Sequence, residues 1–186
     1  MTNKELILDI SKRNGLTHIG SSLTVLLIVE EIYKEKKPDE KFVLSAGHAH
    51  LAHLVVMNRD TAEEMILKHG IHCNREAGCD VSTGSLGHGL GIAVGMALAD
   101  RSKNVYCIIS DGECAEGSIW EALRVAWEQK LFNLKVYVNA NGWASYQPVD
   151  RETLRLRLDS FFPVDFRWTE QEEPFTGLLG HYAKAT

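Results

Sequence analysis

Apolar positions recur at helical spacing over residues 3–14 and again over 22–35. In the second stretch Leu23, Leu26, Leu27, Val29 and Ile32 make one face, with Ser21 or Ser22 placed to cap the first turn. Phe42-Val43-Leu44-Ser45 reads as a short buried strand running into a turn at Gly47-His48, and helical patches follow at 48–58 and 61–68. The Gly-rich segment Gly84-Ser85-Leu86-Gly87-His88-Gly89-Leu90-Gly91 opens a small-residue helix, Ile92–Asp100, whose Gly and Ala content predicts close packing against a neighbour. Asn104–Ser110 is an apolar strand bounded by charge and by Asp111-Gly112; Gly117–Lys130 is an amphipathic helix; Lys135–Asn139 is another strand. Strand, helix, strand at this length implies a parallel pair joined by a right-handed crossover. The expected class is α/β, a mainly parallel sheet with helices on both faces. Beyond residue 145 the pattern weakens. Residues 151–159 suit a charged helix, 161–168 a short strand and Glu170–Pro174 a loop, while Gly177–Thr186 suits a last strand or a frayed tail.

At 186 residues, 45% of them hydrophobic, the chain suits one domain, and no repeat or linker-like stretch interrupts it before residue 145. The segment 146–186 reads as a shortened C-terminal end of that domain. A net charge of −5 leaves no broad basic surface, which argues against nucleic acid or an anionic membrane as partner. The first residues read as a polar-faced helix rather than a signal peptide, and no apolar run approaches the ~18 residues of a membrane span. A soluble, cytoplasmic protein is expected, with Cys73, Cys79, Cys107 and Cys114 as free thiols. His69, His72, Cys73 and Cys79 can be drawn as a zinc site, but there is no CxxC pair, and adjacent His72 and Cys73 fit one tetrahedral centre badly.

The chemistry begins where two strands end. If 104–110 and 135–139 are parallel neighbours ~4.8 Å apart, Asp111 and Asn141 both leave the carboxyl edge of the sheet, where open α/β sheets bind ligands. A hard cation there takes oxygen ligands in octahedral array. One carboxylate, one amide oxygen, a backbone carbonyl and a water leave two positions for phosphate oxygens. Gly112 lets the backbone approach a phosphate at the free amides of a helix start. Asp-Gly and Asn-Gly are each common turns taken alone; their joint placement after consecutive strands points to a metal bridging a diphosphate.

Ser110-Asp111-Gly112-Glu113, with Asn141 thirty positions on from Asp111, resembles the thiamine-diphosphate motif that begins Gly-Asp-Gly and ends in Asn, with Ser110 in place of the first Gly. In detail the stretch is similar to transketolase: Glu116-Gly117, Trp120-Glu121-Ala122, Lys130-Leu131-Phe132-Asn133-Leu134, then Asn139-Ala140-Asn141-Gly142. Upstream, Thr17-His18-Ile19-Gly20, Phe42–His48 and Ser82–Gly89 resemble three further transketolase blocks in the right order.

The resemblance implies thiamine diphosphate with magnesium (or calcium) as cofactors. It makes Asp111 and Asn141 metal ligands, with the carbonyl of Trp143 a third, and places Gly112, Glu113, Gly84 and Leu86 with the cofactor. His18, His48 and His72 resemble active-site histidines that handle protons, although Ile71-His72-Cys73-Asn74 replaces the usual Gly-His-Pro context. His88 reads as structural, and His181 as a loosely aligned late histidine. Glu116 and Glu121 correspond to acids that link the two cofactors across a subunit interface. The resemblance further implies a transferase moving a two-carbon ketol unit between small sugar-type substrates. The residues after 145 are too few for a pyrimidine-binding domain, so a separate transketolase-like subunit is expected to supply it, in an α2β2 assembly. Two rivals remain: a non-catalytic, regulatory cofactor-binding subunit, and a dinucleotide enzyme using Gly87–Gly91, which lacks the full GxGxxG spacing.

Overall fold

A computed structural model describes residues 1–184. Two helices, α1 (Asn3–Asn14) and α2 (Ile19–Glu35), precede strand β1 (Lys41–Leu44). Then come α3 (His50–Met57), α4 (Ala62–His69) and α5 (His88–Ala99), followed by β2 (Val105–Ser110), α6 (Gly117–Glu128) and β3 (Leu134–Ala140). The chain ends with α7 (Arg151–Asp159), β4 (Asp165–Trp168) and the short α8 (Leu179–Tyr182). The four strands form one all-parallel sheet in sequential order, β1-β2-β3-β4.

Alternation along the strands divides the core into two layers. Phe42, Leu44, Tyr106, Ile108 and Tyr137 face α1 to α4. Val43, Val105, Cys107, Ile109, Val136 and Val138 face α5, α6 and α7. Helices therefore cover both faces, as the sequence predicts. Ser110 pairs in register with Asn139, so β2 and β3 deliver Asp111 and Asn141 to the same carboxyl edge.

Four expectations need correction. Helix α2 starts at Ile19, not residue 22, and Ser21 and Ser22 are buried inside it rather than capping it. Its start is set by a tertiary contact: the N–H of His18 donates to the carbonyl of His181 at 2.9 Å, and His18 itself is left-handed, with φ 61°. The expected strand 161–168 is confined to 165–168, because Phe162 turns into the core beneath α7. The expected last strand or tail contains α8 instead, docked so closely on α2 that a methyl at Gly20 would sit 2.8 Å from Gly180 Cα; residues 185–186 lie outside the described residues. Finally, the close packing expected of the small-residue helix is one-sided: Gly89 abuts Ser45, whereas methyls at Gly91 and Gly95 would meet nothing within 4 Å among the described residues. No helix among the described residues is long and apolar enough to cross a membrane.

Candidate functional site

Sequential parallel order puts every strand end on one side, and there the connections after β1, β2 and β3 enclose a cavity of about 180 Å³. Its wall includes His18, His48, His72, Gly84, Leu86, Gly112, Asn141 and Trp143, which are eight of the expected site residues.

The carboxylate of Asp111 is buried and accepts two backbone N–H groups, Gly112 at 2.9 Å and Gly142 at 2.6 Å. Burial pushes its pKa up to about 6, opposed by those two hydrogen bonds. The side-chain oxygen of Asn141 accepts the Trp143 N–H at 3.0 Å. The Asp111 side chain is thus tied to the residue that follows Asn141, and both offer oxygen atoms beside Gly112. A methyl at Gly112 would lie 3.1 Å from Ala144 Cα and 3.7 Å from the Trp143 carbonyl oxygen, so the glycine keeps this corner open. Asp111 itself does not line that cavity; it borders an adjoining hollow of about 290 Å³, which shares Gly112 and Ala144 with it. A carboxylate, an amide oxygen and a nearby carbonyl form a donor set that fits a hard divalent cation.

Glu113, expected beside the cofactor, does not line the cavity. It is fully buried, accepting from Ser45 Oγ at 2.6 Å, from Gly87 N at 2.9 Å and from Ser110 N at 3.0 Å. One carboxylate thereby ties the ends of β1 and β2 to the Gly-rich segment. Ser110 fits in place of a glycine because its hydroxyl accepts the Glu113 N–H at 3.2 Å, closing the turn.

The same cavity holds a cluster of imidazoles. The rings of His18 and His48 are 5.1 Å apart, and His181 completes a triangle at 6.0 and 5.9 Å. Sequence alone does not place His181; the docking of α8 on α2 brings it in, and its Nε2 is buried with no hydrogen-bond partner among the described residues. Burial, followed by the proximity of the other imidazoles, lowers His18 to about 4 and His48 to about 3, and burial lowers His181 as well. All three are neutral near pH 7. His72 is exposed at the rim, its ring against Gly84, where a methyl would lie 3.1 Å from it. Glu116 and Glu121 are exposed around the start of α6 and are not among the residues lining the cavity.

The lowered histidines set the sign of a pH effect. Unfolded, these imidazoles protonate as pH falls through the ordinary 6.5, while the folded protein resists until about 4. Stability is therefore full above pH 6.5 and is lost progressively as pH falls toward 4. Because His18 and His48 are only half-buried, the loss attributable to them is ~1–2 kcal/mol. Urea titrations at several pH values check it: His48→Gln is expected to flatten the slope in that window, and an unchanged slope refutes the assignment.

A family model described as 1-deoxy-D-xylulose-5-phosphate synthase matches residues 2–156. Human transketolase is 35% identical over 147 residues, which cover 68% of this chain and 23% of that protein. The 6-deoxy-6-sulfo-D-fructose transketolase subunit SqwG of Clostridium sp. (strain MSTE9) is 34% identical over 163 residues, 74% of this chain and 59% of the relative. An apulose-4-phosphate transketolase subunit of Phocaeicola vulgatus is 32% identical over 164 residues, 75% of this chain and 58% of the relative. The chain thus matches about a quarter of a full transketolase and under two thirds of these subunits. Among solved structures, Campylobacter jejuni transketolase superposes with a TM-score of 0.70 at 21% identity, over 90% of this chain and 36% of that one, a likeness of fold. With a family model spanning most of its length and transketolase subunits among its relatives, the chain belongs to the transketolase family, in which it corresponds to the N-terminal domain.

Proposed function

We propose that the chain is a thiamine-diphosphate- and magnesium-dependent subunit of a cytoplasmic, transketolase-like transferase. It moves a two-carbon ketol unit from a ketose-type donor to an aldehyde acceptor, together with a separate pyrimidine-binding subunit in an α2β2 assembly. The observation that carries this reading is the meeting of Asp111, Asn141 and Gly112 at one sheet edge, where Gly112 and Asn141 line the cavity that also holds His18 and His48, and Asp111 accepts the Gly112 and Gly142 amides beside it. Asp111 and Asn141, with the Trp143 carbonyl, would hold the cation against the diphosphate. Gly112 would let the diphosphate approach the backbone, and Gly84 and Leu86 would flank the ring portion. When bound, thiamine diphosphate supplies the nucleophilic carbon that carries the transferred fragment.

The protein's own part is positioning and proton handling. The depressed pKa values keep His18 and His48 neutral; Thr17 Oγ1 engages His18 Nδ1 at 3.0 Å, which leaves Nε2 of that ring for a substrate hydroxyl. A proton accepted from a hydroxyl is returned readily, since neighbouring imidazoles disfavour its retention. Because three rings converge within about 6 Å, a proton on one disfavours a second on its neighbours. Val25, Ala46 and Leu86 give the cavity an apolar side. Glu116 and Glu121, both exposed, are available to a second subunit. Two relatives of similar coverage are named as transketolase subunits, which supports a partner-dependent enzyme.

The test is calorimetric titration of thiamine diphosphate into the chain co-purified with its pyrimidine-binding partner. Binding is expected with magnesium and lost when a chelator replaces it. Equal affinity under both conditions overturns the proposal.

A further inference from the structure

Away from the cavity, between α3 and the segment that follows α4, two histidines and two cysteines meet inside the protein. His50 and His53 lie three residues apart on α3, so both project from one face of the helix. Their exposures are 0% and 2%, and those of Cys73 and Cys79 are 4% and 6%. The Cys79 sulfur is 3.4 Å from His50 Nε2 and 3.4 Å from His53 Nδ1, and the Cys73 sulfur is 4.0 Å from the same His53 nitrogen. Ligand atoms of His50, Cys73 and Cys79 all fall within 4.8 Å of one another.

The inventory matches a known chemistry. Around tetrahedral zinc, bond lengths of ~2.3 Å to sulfur and ~2.05 Å to nitrogen separate neighbouring S and N ligands by ~3.6 Å. The observed separations bracket that value. The far nitrogens are committed elsewhere, as in histidines that bind metals. His50 Nδ1 is 3.1 Å from the Gly70 carbonyl, to which it donates, leaving Nε2 with its lone pair toward the sulfurs. His53 Nε2 is 2.7 Å from the Tyr33 hydroxyl, and in the tautomer that donates to that oxygen Nδ1 keeps its lone pair. The cysteines pair with this i,i+3 couple on α3, not with His69 and His72: His72 lines the cavity and His69 approaches Glu76.

We propose that His50 Nε2 and the sulfurs of Cys73 and Cys79, with His53 Nδ1 3.4 Å from the Cys79 sulfur as the fourth ligand drawn in on binding, form a structural zinc site, separate from the cavity, that fixes the 70–83 segment. Binding displaces the two thiol protons to solvent, and one Zn²⁺ with two thiolates and two neutral imidazoles leaves no net charge. That neutrality suits a site enclosed by Phe42, Tyr33 and the apolar core. The segment it fixes carries His72 and ends at Thr83, whose hydroxyl donates to the Leu44 carbonyl at 2.6 Å beside the cavity wall. The zinc is therefore a strut for one side of the active site.

The test uses the full chain, purified reduced and without chelator. Elemental analysis is expected to find about one zinc per chain. After metal removal, added Co²⁺ should give a thiolate-to-cobalt charge-transfer band and the strong visible absorption of a tetrahedral centre. Cys79→Ser and His50→Gln should weaken zinc binding by at least ~100-fold. Asp111→Ala should leave both zinc and the cobalt spectrum intact, which separates this site from the oxygen donors of the cavity. A folded, reduced protein that contains no zinc and gives no charge-transfer band overturns the proposal, as does a Cys73–Cys79 disulfide in protein isolated from a reducing cytoplasm. If the variants do not fold, the wild-type cobalt spectrum still decides.

Discussion

Alanine in place of Asp111 is expected to weaken magnesium-dependent binding of thiamine diphosphate by at least ~100-fold while leaving the protein folded. The carboxylate brings a negative charge to that corner, whereas Asn141 and the Trp143 carbonyl contribute dipoles alone. A divalent cation with no anionic protein ligand loses most of its hold beside an acidic chain. The fold should survive because two effects oppose each other. The Gly112 and Gly142 amides lose their acceptor, at ~1–2 kcal/mol each. Against this, a desolvated carboxylate, whose burial raises its pKa to about 6, is removed from the interior. Calorimetry at fixed magnesium measures the affinity, and circular dichroism checks the fold. A variant that binds as tightly as the parent removes Asp111 from the metal.

The second large effect concerns one methyl group. Gly47→Ala is expected to cost at least ~3 kcal/mol and to lower Tm by ~10 °C. The added Cβ would lie 2.3 Å from the Thr83 carbonyl oxygen and 2.6 Å from its carbon, and backbone atoms cannot swing aside as a side chain does. Relief requires moving the 73–83 segment, which is pinned by Cys73 N–H to Gly47 O at 3.1 Å and Thr83 N–H to Cys73 O at 3.1 Å. Gly84 and His72 would shift with it, which would disturb that wall of the cavity as well. Thermal unfolding reads the first effect. A Tm within a degree or two of the parent means the segment is looser than described.

Much of this architecture is legible in the chain because local signals and tertiary outcome agree. The apolar runs ending at Ser110 and near Asn139 are buried on both faces, and such strands in an α/β succession become central and parallel. That agreement brings Asp111, Gly112 and Asn141 to one edge. The failures share another cause. Ser21 and Ser22 look like caps but are buried, since the start of α2 is fixed by His18 meeting His181, a contact across most of the chain. His181 escapes sequence reading for the same reason: α8 is four residues long and exists where Gly20 and Gly180 allow the backbones to touch. The Ser45–Glu113–Gly87 clamp links three segments, and Glu113 sits in a motif whose cofactor-facing reading hides its structural one. His50 and His53 look like core, because an i,i+3 pair on an apolar helix gives no other sign until the loop bearing the thiols is folded above it.

The left-handed backbone at His18 has a practical corollary for dissecting the site. That conformation costs most side chains ~1 kcal/mol but is tolerated by asparagine and glycine. His18→Ala therefore perturbs the mainchain geometry at the mouth of α2 as well as deleting the ring, and would overstate the imidazole's share in turnover. Asparagine at this position retains the local geometry and a polar headgroup, and is the comparator against which the ring's own contribution should be judged.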